Sequence, residues 1–324
     1  MAEKIILDVD TGSDDAVAIM TAILSPEIQL EAVCTVAGNK DIEKTTENTL
    51  RVIQLMDADV PVYRGCGGPL VKFLREDRVP IRMAKLKLEV DGKEIQMHSD
   101  YLDLPAASLA AQAVPAPVFY LDYLRNATEP VTLVAVGPLT NLAVAFMLDP
   151  TIVEKIKRIV IMGGGYQVTN ASPTAEFNIW FDPEAAQRVL NSGAPVYFVP
   201  LDATHAACVS KADCAELRRI GTDASVFAAK LIEQRIVMHN AFQPLAVPDA
   251  AAVHDALAVC FVIDEAVLQD VRPVRCEIGF RDLSEGQTVI DQRYYTEEKN
   301  CFFAFDADRK RFIDLLCSTF TMGK

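Results

Sequence analysis

The sequence predicts an α/β protein: a single domain over residues 1–324 on a mostly parallel, doubly wound (Rossmann-like) central sheet, with helices on both faces and small C-terminal β additions. Three observations predict it. Short apolar, β-branched runs alternate with helical stretches along most of the chain. Polar residues collect just after those runs, at Asp8/Asp10, Asn39, Val136-Gly137 and the loop past Met162; open parallel sheets hold their ligands at such carboxyl ends. The last part of the chain changes rhythm to three strand-like runs and one helix.

The elements follow in order. Residues 5–9 form a short apolar run that turns at Thr11-Gly12-Ser13 and enters a helical pattern at Ala16, with Ser13 or Asp14 placed to cap it. Residues 30–37 are apolar and β-branched and stop at Gly38-Asn39. A helix over 41–56 and a strand over 60–63 lead to a long excursion, 64–104, glycine-rich at its start and charged across 85–94. A connection that long inside a compact domain is usually functional or mobile. A helix is expected over about 106–126, a strand over 131–136, a helix from Leu139, and a strand over 159–162 that runs into Gly163-Gly164-Gly165 and a polar loop reaching Asn178. Asp182-Pro183 opens a helix with proline in its first turn. Residues 196–199 make a strand, 210–239 are mainly helical, and His254-Asp255 opens another helix. Strand-like runs at 276–280, 287–294 and 301–305 precede a final helix from about Asp306.

Composition narrows the function. Apolar residues make up 51% of 324, enough for a large core. No N-terminal stretch has a secretory pattern and no apolar run reaches the roughly 18 residues of a membrane span, so a cytoplasmic protein without a membrane partner is expected. Eight scattered cysteines without paired metal spacing fit buried free thiols in a reducing compartment. A net charge of −14 argues against nucleic acid as a partner. A small neutral substrate remains compatible with it.

Chemistry concentrates at the first strand–helix junction. Asp8, Asp10, Asp14 and Asp15 stand within eight residues, and like charges so close raise one another's pKa unless a cation sits among them. By the two-residue period Asp8 and Asp10 share a strand face. Asp14 and Asp15, about 100° apart on a helix, serve different partners. A helix cap needs one acid, not four, so the cluster reads as a hard-cation site with a second task beside it.

Asp8-Val9-Asp10-Thr11-Gly12-Ser13-Asp14-Asp15 resembles the DxDxGxDD signature of the nucleoside hydrolases, the inosine–uridine-preferring nucleoside N-ribohydrolase family. Thr35-Val36-Ala37-Gly38-Asn39, Gly137-Pro138-Leu139-Thr140-Asn141, Ile161-Met162-Gly163-Gly164, Ala175-Glu176-Phe177-Asn178 and His254-Asp255 resemble further family blocks, in the family's order. The resemblance implies Ca²⁺-dependent hydrolysis of the N-glycosidic bond of a ribonucleoside to ribose and free base. It implies Ca²⁺ on Asp10, Asp15, the main-chain carbonyl of Val136 and Asp255, an all-oxygen set suited to a hard cation, with Asp10 as general base toward the attacking water. Many relatives have Thr where Val136 stands, but only the carbonyl ligates, so this departure costs the chain nothing. The same resemblance puts Asp14, Asn39 and Asn178 on the ribose hydroxyls, Asn170 and Glu176 on the 5′-hydroxyl, Met162 under the sugar, and Phe177 in the substrate-binding block. His254 matches the family histidine proposed as proton donor to the leaving base. His98 lies near a second family histidine but is followed here by Ser99-Asp100-Tyr101. Gln234 and His239 lie on a helix that in relatives supplies residues above the base. His205 is expected to give structural support and Trp180 to pack in the core. The resemblance also implies a homodimer or homotetramer.

Two other readings compete. A haloacid-dehalogenase-type phosphatase shares the DxDxT strand, but it needs acids after a later strand, where Gly163-Gly164-Gly165 stands. A non-catalytic nucleoside-binding protein on the same fold predicts loss of the acid set, which is complete.

Overall fold

The computed structural model describes residues 2–74, 78, 87–90, 93–293 and 298–323, with the side chains of 87, 90 and 93–95 left aside. Strand β1 (Glu3–Val9) is buried on both faces from Ile5 on, which is why its sequence is a continuous apolar run rather than an alternation. It is followed by α1 (Ser13–Leu24), β2 (Ile28–Thr35), α2 (Ile42–Leu55) and β3 (Val62–Arg64). The 64–104 excursion holds a 3₁₀ turn at Lys72–Leu74 and the hairpin β4 (Lys87–Val90) and β5 (Lys93–Gln96). Part of its charged stretch lies outside the described residues. Next come α3 (Ala116–Asn126), β6 (Val131–Ala135), α4 (Thr140–Leu148), β7 (Ile156–Met162), α5 (Phe177–Phe181), α6 (Pro183–Leu190), β8 (Val196–Val199), α7 (Leu201–Ala206) and β9 (Val209–Ser210). The chain ends with α8 (Lys211–Ile220), α9 (Asp223–Phe242), β10 (Ala250–Ala251), α10 (His254–Ile263), β11 (Leu268–Ile278), β12 (Thr288–Asp291), β13 (Cys301–Ala307) and α11 (Arg309–Thr321).

Among the described residues nine strands form one sheet, ordered β12-β11-β13-β8-β7-β6-β1-β2-β3. Every pairing from β3 to β13 is parallel, and β11 and β12 add antiparallel strands at one edge. The sheet is therefore the doubly wound one expected, with the C-terminal β additions in place. β1 is flanked by β2 and β6, so the winding reverses there and leaves a crevice at its carboxyl end. Ile5, Leu7 and Val9 pack with α1, α9, α10 and α11 on one side. Ile6, Leu133 and Ile159 pack with α3, α4 and α6 on the other.

Several boundaries differ from expectation. Residues 106–115 are not helical. Gln112 bridges to Tyr63 beside β3, Ala107 N–H donates to Glu47, and Pro115 stands as the N-cap of α3; tertiary pairing overrides local propensity here. The loop before Asn178 turns helical at Phe177 because the Glu176 carboxylate caps α5. Gly221, at φ +81°, splits the 210–239 stretch into α8 and α9. β11 begins at Leu268, well before position 276, and Asp308 caps α11 after a longer β13. The end of the expected 287–294 strand lies outside the described residues. All eight cysteines are free thiols, six of them buried. No helix among the described residues is long and apolar enough to cross a membrane.

Candidate active site

The β1–α1 turn sets the acids. Neither Ser13 nor Asp14 caps α1. Asp15 reaches back instead, its carboxylate accepting the N–H groups of Gly12 (2.8 Å) and Asp10 (3.1 Å). Asp8 and Asp10 do not share a role or a strand face, since β1 ends at Val9. Asp8 accepts from Tyr120 Oη (2.9 Å) and Asn141 Nδ2 (3.0 Å), and Asn141 also donates to the Thr35 carbonyl (3.0 Å) and accepts from Cys66 N–H (2.8 Å). Asp8 is thus a structural tie between β1, β2 and α4, and burial pushes its carboxyl up to about 7.

Asp10 points the other way and accepts the Asn39 N–H at 2.6 Å. Burial, then the Asp15 charge beside it, raises its carboxyl well above the usual range. Burial and Asp14 push Asp15 up to about 6, and burial with the surrounding aspartates raises Asp255 strongly. One carboxylate oxygen from each of Asp14, Asp15 and Asp255 lies within 4.8 Å of the others, and all three residues are buried. The tightest trio therefore contains Asp14, with Asp10 adjoining it through Asp15. The Val136 carbonyl opens nearby but already accepts Asn178 Nδ2 at 2.8 Å; a carbonyl has a second lone pair for another partner.

Above the acids is a cavity of about 790 Å³. Most residues singled out from the sequence converge on it: Asp14, Asn39, His98, Val136, Met162, Asn170, Glu176, Phe177, Asn178, His254 and Asp255 line it, whereas Asp10 and Asp15 lie beneath without lining it. Glu176 is buried, and its carboxylate accepts the N–H groups of Gly164, Asn178 and Ile179. Burial outweighs those bonds and lifts its carboxyl to about 7. Asn170 Oδ1 accepts from Phe177 N–H (2.9 Å), and Asn178 Nδ2 also donates to the Met162 carbonyl (3.1 Å), so both amides are held in place from behind.

The chain has four histidines, and all meet here. The rings of His205, His239 and His254 lie 5.8–6.1 Å apart, and burial pushes His98, His205 and His239 down to about 4 and holds His254 well below the ordinary imidazole range. His254 Nδ1 is bonded to Thr204 Oγ1 at 2.7 Å. His239 lines the cavity and His205 stands behind it. Gln234 is half-buried and does not line the cavity. The residue that does is its neighbour Arg235, which sequence reasoning missed. The signal was a charged residue on the apolar stripe of α9, at Ile232, Arg235, Ile236 and His239. Trp180 is also not a core residue: half-buried at the cavity wall, it carries the Lys72 ammonium 3.3 Å from its ring centroid, with Lys72 paired to Glu285 at 3.0 Å.

The model of the inosine-uridine preferring nucleoside hydrolase family matches residues 5–314. The chain belongs to that family. It is 37% identical over 319 residues to the pyrimidine-specific ribonucleoside hydrolase RihA of Escherichia coli O8, covering 98% of this chain and 97% of the relative. The protein of the same description from Klebsiella pneumoniae (strain 342) is 35% identical over 323 residues, with the same coverage. Among solved structures, the purine-preferring ribonucleoside hydrolase from Gardnerella vaginalis superposes with TM-score 0.86 at 27% identity, covering 99% of both chains. A plant nucleoside hydrolase gives 0.85 at 27% identity, also over 99% of both. This nucleoside hydrolase is accordingly an N-ribohydrolase acting on ribonucleosides, in a family that is metal-dependent in general.

Proposed function

We propose that this nucleoside hydrolase cleaves pyrimidine ribonucleosides to ribose and free base with Ca²⁺ in the acid cluster, as a cytoplasmic enzyme. The observation that carries the metal reading is the buried Asp10, Asp14 and Asp15 of the first strand–helix junction, met by Asp255 from the start of α10, with a single guanidinium among the described residues, that of Arg235, in contact. Such a cluster is unfavourable without further positive charge, and its donors are all oxygens, which suits a hard cation. Asp10, Asp15, Asp255 and the Val136 carbonyl would hold it, beside Asp14. When bound, a divalent cation supplies positive charge that acidifies a neighbouring water and favours the vicinal ribose hydroxyls.

The chain's own residues supply the rest. Asp10, its far oxygen fixed by Asn39, takes the proton of the attacking water. Asp14, Asn39 and Asn178 bond the ribose hydroxyls, Asn170 and Glu176 the 5′-hydroxyl, and Met162 and Phe177 give the sugar an apolar wall. His254, steadied by Thr204, faces the leaving base as its proton donor, and His98 closes that end. The pyrimidine preference rests on the 35–37% identity to relatives of that description over nearly their whole length. Ribose release from uridine, cytidine and inosine, with and without chelator, tests the reading. Uridine and cytidine should lead, and chelator should stop turnover. Phosphate release from phosphate esters would instead favour the phosphatase.

A further inference from the structure

Arg235 lies one helical turn before His239 on α9 and is 3% exposed. Three bonds fix its guanidinium: Nε donates to the Ala252 carbonyl (3.1 Å), and Nη1 donates to Ser13 Oγ (3.0 Å) and Asp14 Oδ1 (2.8 Å). Nη2 makes no hydrogen bond to the described residues, and it is not among the buried polar atoms sealed without a partner. Since Arg235 lines the cavity, this free arm of the fork opens onto it. The other basic residue on the cavity wall, among the described residues, is Lys40, which is tied to Asp100 at 2.9 Å. A guanidinium cannot be deprotonated in a protein. The end of the cavity with the histidines therefore holds one permanent positive charge with spare N–H groups.

We propose that Arg235 is a specificity-determining residue of the base subsite, donating from Nη2 to the 2-keto oxygen of a pyrimidine. The assignment rests on the hydrolase reading above. As the C1′–N1 bond breaks, its electron pair passes to the ring and is shared with that oxygen. The water oxygen bonds to C1′, its proton goes to Asp10, and the base is reprotonated as it leaves. A donor aimed where charge develops stabilises the transition state more than the ground state. A purine has a ring nitrogen in place of the keto oxygen, a weaker acceptor of this charge, so the same arm discriminates between the two classes.

The test compares kcat/KM of Arg235→Gln, Arg235→Lys and Asp14→Asn on uridine, inosine and p-nitrophenyl riboside, whose leaving group has no 2-keto oxygen. Arg235→Gln is expected to lower uridine turnover about 100-fold, and to lower it at least tenfold more than it lowers p-nitrophenyl riboside or inosine turnover. Arg235→Lys keeps the charge and the Asp14 pair but loses the fork, and shifts the uridine to p-nitrophenyl riboside ratio the same way by a smaller factor; that ratio decides the matter if the Gln variant fails to fold. Asp14→Asn lowers all three substrates alike. If the Arg235 variants also lower all three alike, Arg235 only positions Asp14 and the proposal is overturned. A wild-type protein that hydrolyses inosine and p-nitrophenyl riboside but not uridine overturns it as well. One that hydrolyses none of the three removes the hydrolase reading, and this assignment with it.

Discussion

Replacing Asp10 by Asn is expected to stabilise the cation-free protein while abolishing turnover. The side chains of Asp10 and Asp15 lie within hydrogen-bonding reach; burial and then the Asp15 charge hold the Asp10 carboxyl well above its usual range, whereas the bond from Asp10 lowers that of Asp15. An amide at position 10 keeps the bond from Asn39 N–H through its oxygen and donates to Asp15 through its nitrogen. Asp10 itself is raised well above its ordinary 3.8 on folding, and each unit of such a rise is worth about 1.4 kcal/mol of stability lost at high pH. Because the folded value lies above the unfolded one, that stability is intact below about pH 4 and is lost as pH rises from there toward the folded value. Asp10→Asn removes that cost, of order 1–3 kcal/mol, which for a chain this size is roughly 1.5–4.5 °C in Tm. Thermal unfolding in chelator at pH 5 and pH 8 reads the effect. The gain should be larger at pH 8 than at pH 5, and vanish only below about pH 4. A variant less stable than wild type at pH 8, or one with equal gains at both pH values, would refute the reasoning.

Further expectations follow from neighbouring residues. Asp8→Ala leaves Tyr120 Oη and Asn141 Nδ2 buried without their acceptor, costing about 2–4 kcal/mol; thermal unfolding should show the loss, while kcat/KM of the folded fraction stays within about tenfold. In wild type, the Tm increase produced by Ca²⁺ should be larger at pH 8 than at pH 5, because at low pH the carboxylates raised by burial are already protonated; calorimetry at the two pH values checks it. His254→Ala should lower uridine turnover far more than p-nitrophenyl riboside turnover, and equal losses would remove its role as proton donor. Gly12→Ala would place a methyl carbon 2.1 Å from His98 Nδ1, so His98 must move and KM for uridine should rise, measured by steady-state kinetics.

The mostly parallel, doubly wound sheet was legible because its central strands, β1 and β6 above all, are buried on both faces and so spell continuous apolar runs. Residues on the cavity wall were legible where they follow strand ends: Asn39, Val136 and Met162 are of this kind. Roles set by distant contacts were not. Asp8 and Asp10 look equivalent two residues apart, and only Tyr120 and Asn141, more than a hundred residues away, separate them. Arg235 and Gln234 are adjacent in sequence but about 100° apart on α9, and only the packing of that helix decides which one faces the cavity. Trp180 was misplaced for the same reason, since Lys72 and Glu285 come to it from elsewhere in the chain. The helix expected over 106–115 failed because the pairing with β3 and α2 is tertiary.

Isothermal titration of the chelator-stripped protein with Ca²⁺ tests the central claim most directly, using wild type, Asp15→Asn and Asp255→Asn. One ion per chain is expected in wild type, and loss of that binding in both variants. Unchanged binding in either variant, or full uridine turnover by protein shown by the same titration to be ion-free, would contradict it.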